Sequence, residues 1–101
     1  MSETYSIADI RGVLNAMPID KRVKKLVLFG SHAKGTAQSL SDLDFFLDSD
    51  KQIKGFAYFD LKGRLEDAFQ RDIDLIPDID VIPGSRVEQE ILNTGVMVYG
   101  R

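Results

Sequence analysis

A short apolar run, KKLVLFG (residues 24–30), stops at Gly30-Ser31, and after a polar connection a second run, SDLDFFLDSD (41–50), alternates apolar and acidic residues. The first run is rich in β-formers, follows a charged cluster and is closed by glycine, the pattern of a buried central strand. In the second, Leu43, Phe45 and Leu47 fall on one face and Asp42, Asp44 and Phe46 on the other, because strand side chains alternate. Strands of this kind bury their apolar face against another layer, so the chain is restricted to layered folds built on a sheet.

Helical spacing supplies the covering layer. Ile7, Ile10, Leu14 and Met17 share one stripe, with Ser6 and Asp9 at N-cap positions, and predict a helix over 4–17 stopped by Pro18. Tyr58, Leu61, Leu65, Ala68 and Phe69 mark a second helix over 55–71, weakened at Gly63. DIDLIP (72–77) alternates as a third strand. Ser85 and Glu88 stand at capping-box spacing before a third helix, with Val87, Ile91 and Leu92 as its apolar stripe and Gly95 as its stop, and VMVYG (96–100) is a fourth strand. The order is helix, strand, strand, helix, strand, helix, strand. This predicts one small α/β or α+β domain over 1–101, with a mixed sheet of about four strands and flanking helices.

At 101 residues there is room for a modest core but not for a separate substrate-binding domain, so another molecule is expected to hold part of the substrate. Hydrophobic residues at 44% and charged residues at 29% fit an ordinary soluble globular chain. A formal charge of -3 argues against direct, non-specific nucleic-acid binding, which needs a surplus of Lys and Arg. With no cysteine, disulfides and thiolate metal sites are excluded. The N-terminus carries acids and no long apolar core, unlike a secretory signal, and no apolar run approaches the roughly 20 residues of a membrane span. A cytoplasmic protein without membrane partners is the expectation.

Asp42 and Asp44 point to the same side of their strand and repel each other unless a cation lies between them. An oxygen-only donor pair suits a hard cation such as Mg²⁺, completed by water and substrate phosphates. A third acid on a neighbouring strand, for which Asp74 is the candidate, would permit two metals about 3.5–4 Å apart, the arrangement of in-line phosphoryl or nucleotidyl transfer. The pair also reads as a turn residue after Ser41 followed by an acid on a solvated face. Gly30 at a strand end lets backbone approach a ligand, and Ser31 offers a hydroxyl and an N–H to a phosphate oxygen. The connection GSHAKG lacks both the Walker A spacing and the dinucleotide fingerprint.

Gly30-Ser31, ten intervening residues (32–41) and Asp42-x-Asp44 together resemble the signature of the DNA polymerase β-like nucleotidyltransferase superfamily. With the later DIDLI and the terminal EILNTGVMVY, the chain from about residue 24 onward is similar to the minimal nucleotidyltransferases of the MNT family, encoded beside HEPN-domain partners in toxin–antitoxin pairs. The resemblance implies a polymerase β-like nucleotidyltransferase fold. It also implies that Gly30 and Ser31 form the triphosphate-binding turn, and that Asp42 and Asp44 bind metal. Asp74 would be the third carboxylate, which helps bind the catalytic metal and takes the proton from the attacking hydroxyl. Asp72 is its rival, on the same face one step earlier; Asp74 is preferred because it lies inside the apolar run, between Ile73 and Leu75. Lys34 and His32 stand where the family often has arginines; Lys34 is a candidate to steady the triphosphate, and no partner for a catalytic His32 is evident. Asp48 and Asp50 are expected to face solvent, Ser39 and Ser41 to serve as loop and cap residues, and Phe46 to border a base or cover the sheet.

The activity so implied is Mg²⁺-dependent transfer of AMP from ATP, with two metals, to a hydroxyl, namely a tyrosine of a HEPN toxin partner, by an antitoxin. The alternative is an antitoxin or adaptor that neutralises its partner by binding alone. Transfer to a small-molecule hydroxyl would need a pocket built with a second subunit, and so a homo-oligomer.

Overall fold

The computed structural model describes residues 5–30, 33 and 42–100. Helix α1 (Ile7–Ala16), strands β1 (Lys25–Phe29) and β2 (Leu43–Asp48), helix α2 (Phe56–Phe69), strand β3 (Ile73–Pro77), a 3-10 turn (Asp78–Asp80), helix α3 (Arg86–Thr94) and strand β4 (Val96–Gly100) follow in the expected order. The four strands form one sheet in the order β3-β2-β1-β4. β1 runs antiparallel to β2 and β4, whereas β2 and β3 are parallel, so the sheet is mixed.

Local chemistry sets the helix ends. The Ser6 hydroxyl accepts the Asp9 N–H at 3.0 Å and the Asp9 carboxylate accepts the Ser6 N–H at 3.3 Å, a closed capping box. At α3 the Ser85 hydroxyl accepts the Glu88 N–H at 3.2 Å, but the Glu88 carboxylate turns to the Gly84 N–H at 2.9 Å. Gly95 ends α3 in extended rather than left-handed backbone, and its N–H donates to the Ile91 carbonyl at 2.9 Å. Space is the reason for a glycine there: a Cβ would collide with that carbonyl and approach Val27 Cγ1 to 2.7 Å.

The core lies on one face of the sheet. Ile10 and Leu14 of α1 and Leu61, Leu65 and Phe69 of α2 pack on Leu26, Leu28, Phe45, Leu47 and Leu75, all buried. Burying a side chain of this size contributes about 1.5–3 kcal/mol, so this face carries most of the apolar stabilisation. Two stripe assignments differ from expectation. Ala68 is exposed. Val87 and Leu92 are 38% and 75% exposed, and α3 buries no residue, because it touches β1 from the face opposite the core, where no further element among the described residues covers it.

Helical side chains cap the outer strands. The Tyr58 hydroxyl donates to the Leu75 carbonyl at 2.7 Å, and the Ile73 N–H is bound by the Glu66 carboxylate, both on the free edge of β3. On β4 the Arg11 guanidinium donates to the Met97 carbonyl at 3.0 Å. Occupied groups of this kind discourage pairing with another strand. Among the described residues no helix is long and apolar enough to cross a membrane.

Candidate active site

The face away from the core carries the acidic row. In the parallel β2–β3 register Asp44 lies directly opposite Asp74, and in the antiparallel β1–β2 register Phe29 lies opposite Asp44. Asp42, immediately before β2, and Asp74 are exposed, while Asp44 is half-buried. Burial first, then the charges of Asp74, Asp42 and Glu90, push the Asp44 carboxyl from its ordinary 3.8 up to about 6. Asp72 precedes β3, where its carbonyl accepts the Leu43 N–H at 3.3 Å. Its side chain shares a shallow cleft of about 490 Å³ with Asp42, Glu66 and Arg71. The structure therefore places Asp74, rather than Asp72, across from Asp44.

Gly30 closes β1 with φ +76°, a conformation natural to glycine. A Cβ there would run into the Asp44 carboxylate, with Asp44 Cγ at 3.2 Å. The Gly30 N–H donates to the Thr94 hydroxyl at 3.4 Å, and that hydroxyl donates to the Glu90 carbonyl at 2.7 Å. The last turn of α3 is thereby tied to the strand end beside the acidic row. Ser31, His32, Lys34, Ser39 and Ser41 lie outside the described residues. Asp48 and Asp50 sit at the other end of β2, where Asp50 bridges to Lys24 at 2.7 Å, away from the row.

Glu90 and Thr94 were not legible as site residues. They stand four apart on a polar face of α3, but nothing in the local pattern places that face beside β2.

Several carboxylates around a half-buried acid form a site of concentrated negative charge with oxygen donors only, which fits a hard divalent cation. Among the described residues no three acidic or histidine side chains are gathered closely enough to hold a metal ion as they stand. The structure brings Asp44 and Asp74 together and leaves Asp42 solvated beside them.

A family model described as Polymerase beta, Nucleotidyltransferase matches residues 13–101. No curated protein matches the chain. A chain in a crystal structure of a toxin-antitoxin with AMP-PNP aligns over 96% of this chain and 75% of its own length, with a TM-score of 0.69 at 24% identity. A chain in the complex of a tri-AMPylated Shewanella oneidensis HEPN toxin with an MNT antitoxin aligns over 94% of this chain and 70% of its own, with a TM-score of 0.59 at 21% identity. A chain of the toxin-antitoxin MntA-HepT gives 0.58 at 22% identity over the same shares. At these identities the neighbours speak for the fold, and their backbone agrees with the mixed four-stranded sheet described above. Since the family model spans the chain from Val13 to its last residue, taking in both the glycine turn and all three aspartates, the chain belongs to the polymerase β nucleotidyltransferase family.

Proposed function

We propose that this protein is a Mg²⁺-dependent nucleotidyltransferase that moves AMP from ATP to a tyrosine hydroxyl of a HEPN-domain toxin, and so acts as its antitoxin. The observation that carries this reading is the Asp44–Asp74 pair, set opposite each other on parallel strands beside the Gly30 turn. The neighbours support it: one was crystallised with AMP-PNP, and another holds a tri-AMPylated HEPN toxin.

Asp42, Asp44 and Asp74 are the residues that would hold Mg²⁺, which when bound supplies charge neutralisation for the triphosphate and the leaving group. Gly30, Ser31 and Lys34 hold the triphosphate, the glycine by letting phosphate approach backbone and the lysine by its charge. Asp74, exposed on the outer strand, accepts the proton of the attacking tyrosine. The tyrosine oxygen bonds to the α-phosphorus as the bond to pyrophosphate breaks, leaving tyrosyl-AMP. Positioning and charge provide the acceleration, so no covalent enzyme nucleophile is required.

Intact-protein mass spectrometry of a HEPN partner, incubated with this protein, ATP and Mg²⁺, tests the proposal. Gain of AMP units with the wild type and none with an Asp42→Asn/Asp44→Asn variant is expected. No gain in a complex that still forms would favour neutralisation by binding alone.

A further inference from the structure

The outer side of α2 carries a surface that neither the core nor the proposed chemistry uses. Phe56, Asp60, Gly63 and Asp67 recur at helical spacing on the side of the helix opposite Leu61, Leu65 and Phe69, which are buried. Phe56 is 96% exposed, and Phe59, one turn on, is 68% exposed with its ring set edgewise against Tyr58, centroids 5.2 Å apart. Two phenylalanine side chains of about 150–250 Å² each, left in water at one end of a helix, mark a contact surface.

From these rings a continuous depression leads to the acidic row. Phe59, Gly63 and Asp67 border a shallow groove of about 560 Å³, open where Gly63 has no side chain. Glu66 and Asp67 belong both to this groove and to the cleft of about 490 Å³ that holds Asp42 and Asp72. From Phe56 to Asp67 the helix advances roughly 16 Å, at about 1.5 Å per residue. Its charge changes on the way. Asp60 is bridged by Arg64 and Glu66 by Lys62, each at 2.9 Å, whereas Asp67 and Asp72 have no ion-pair partner among the described residues. The surface is thus apolar at the start of α2 and anionic at its end, beside Asp42.

We propose that the outer side of α2 is the docking surface for the protein that carries the acceptor tyrosine, and that it receives a segment with apolar side chains at one end and Lys or Arg at the other. This rests on the nucleotidyltransferase reading, which needs a protein acceptor held beside the acidic row. Charge decides between occupants. Four carboxylates beside Arg71 repel a triphosphate. A second copy of this chain, itself of formal charge -3, sets like charges against like. A cationic segment pairs with Asp67 and Asp72, which orients it toward the row, while the phenylalanine rings supply affinity.

The test is binding of a full-length HEPN-domain partner to the full chain, read by calorimetry beside ATP titration and AMP transfer. Phe56→Ser/Phe59→Ser is expected to weaken the partner by about tenfold or more. Asp67→Lys is expected to weaken it by about tenfold at low salt and by much less at about 0.5 M salt, where exposed charges are screened. Both variants change exposed residues and are expected to keep the ATP affinity of the wild type, and to recover its AMP transfer at saturating partner, a KM effect without a kcat effect. Wild-type partner affinity in both variants overturns the docking surface and leaves AMP transfer standing. Weakening by the phenylalanine variant alone rejects the cationic segment. A wild type that binds the partner through these residues but transfers no AMP overturns the nucleotidyltransferase reading and keeps α2 as the partner's surface. Self-association of the wild type that these variants abolish, with partner affinity unchanged, assigns the face to a second copy and overturns the proposal.

Discussion

The carboxylate of Asp44 occupies the space that a side chain at Gly30 would need. Gly30 also sits at φ +76°, so alanine there meets both a steric and a backbone penalty. Gly30→Ala is expected to lower stability by about 1–3 kcal/mol and to abolish ATP binding. Chemical denaturation of Gly30→Ala, Asp44→Ala and the double variant separates the two penalties. If the collision matters, the double variant is less destabilised than the sum of the singles; strict additivity would reject the coupling.

Asp44 makes stability depend on pH. Its folded-state value of about 6 lies above its ordinary 3.8, so between these values the folded protein binds more protons than the unfolded one. The stability that Asp44 contributes is therefore greatest below about pH 4, falls as pH rises through 6 and then levels. Two pH units correspond to roughly 3 kcal/mol at most, and since Asp44 is half exposed, solvent screening reduces this to about 1–2 kcal/mol. In chelator at about pH 7.5, Asp44→Asn should melt above the wild type, and at about pH 4 the two should converge. The same variant should lose AMP transfer. A folded Asp44→Asn protein with undiminished transfer would remove Asp44 from the site.

Gly63 lies inside α2, and a Cβ there meets nothing within 4 Å. Gly63→Ala should raise stability by about 0.5–1 kcal/mol, read as a thermal midpoint higher by about 4 °C, because alanine has the better helix propensity. A lower midpoint would mean that α2 needs its glycine for a reason other than space.

Asp78 braces the connection between β2 and α2. One of its carboxylate oxygens accepts the Ser49 N–H at 3.2 Å and the Lys51 N–H at 2.9 Å. Asp50 and Lys51 have φ of 53° and 60°, so this turn depends on its hydrogen bonds. Asp78→Ala should cost about 1–3 kcal/mol in urea unfolding with the slope unchanged. Wild-type stability would show that the turn holds without it.

Local patterns foretold much of this molecule. Alternation at Leu43, Phe45 and Leu47 marks a strand with one buried face wherever it is placed, and the Ser6–Asp9 box starts a helix through groups three residues apart. Gly30, Asp42 and Asp44 stand out as candidates for the same reason, since their types and spacing lie within one strand–turn–strand segment. Partners distant in sequence were not. The register that sets Asp74 against Asp44 joins residues thirty apart, and only the paired strands decide it. Helical periodicity identifies Val87, Ile91 and Leu92 as the apolar stripe of α3 but not the layer that the stripe meets, and the core lies on the opposite face of the sheet. The packing that leaves Val87 and Leu92 exposed also brings Glu90 and Thr94 to the acidic row. Sequence periodicity determines which face of an element is apolar or polar; only the closing of long-range contacts decides what that face meets.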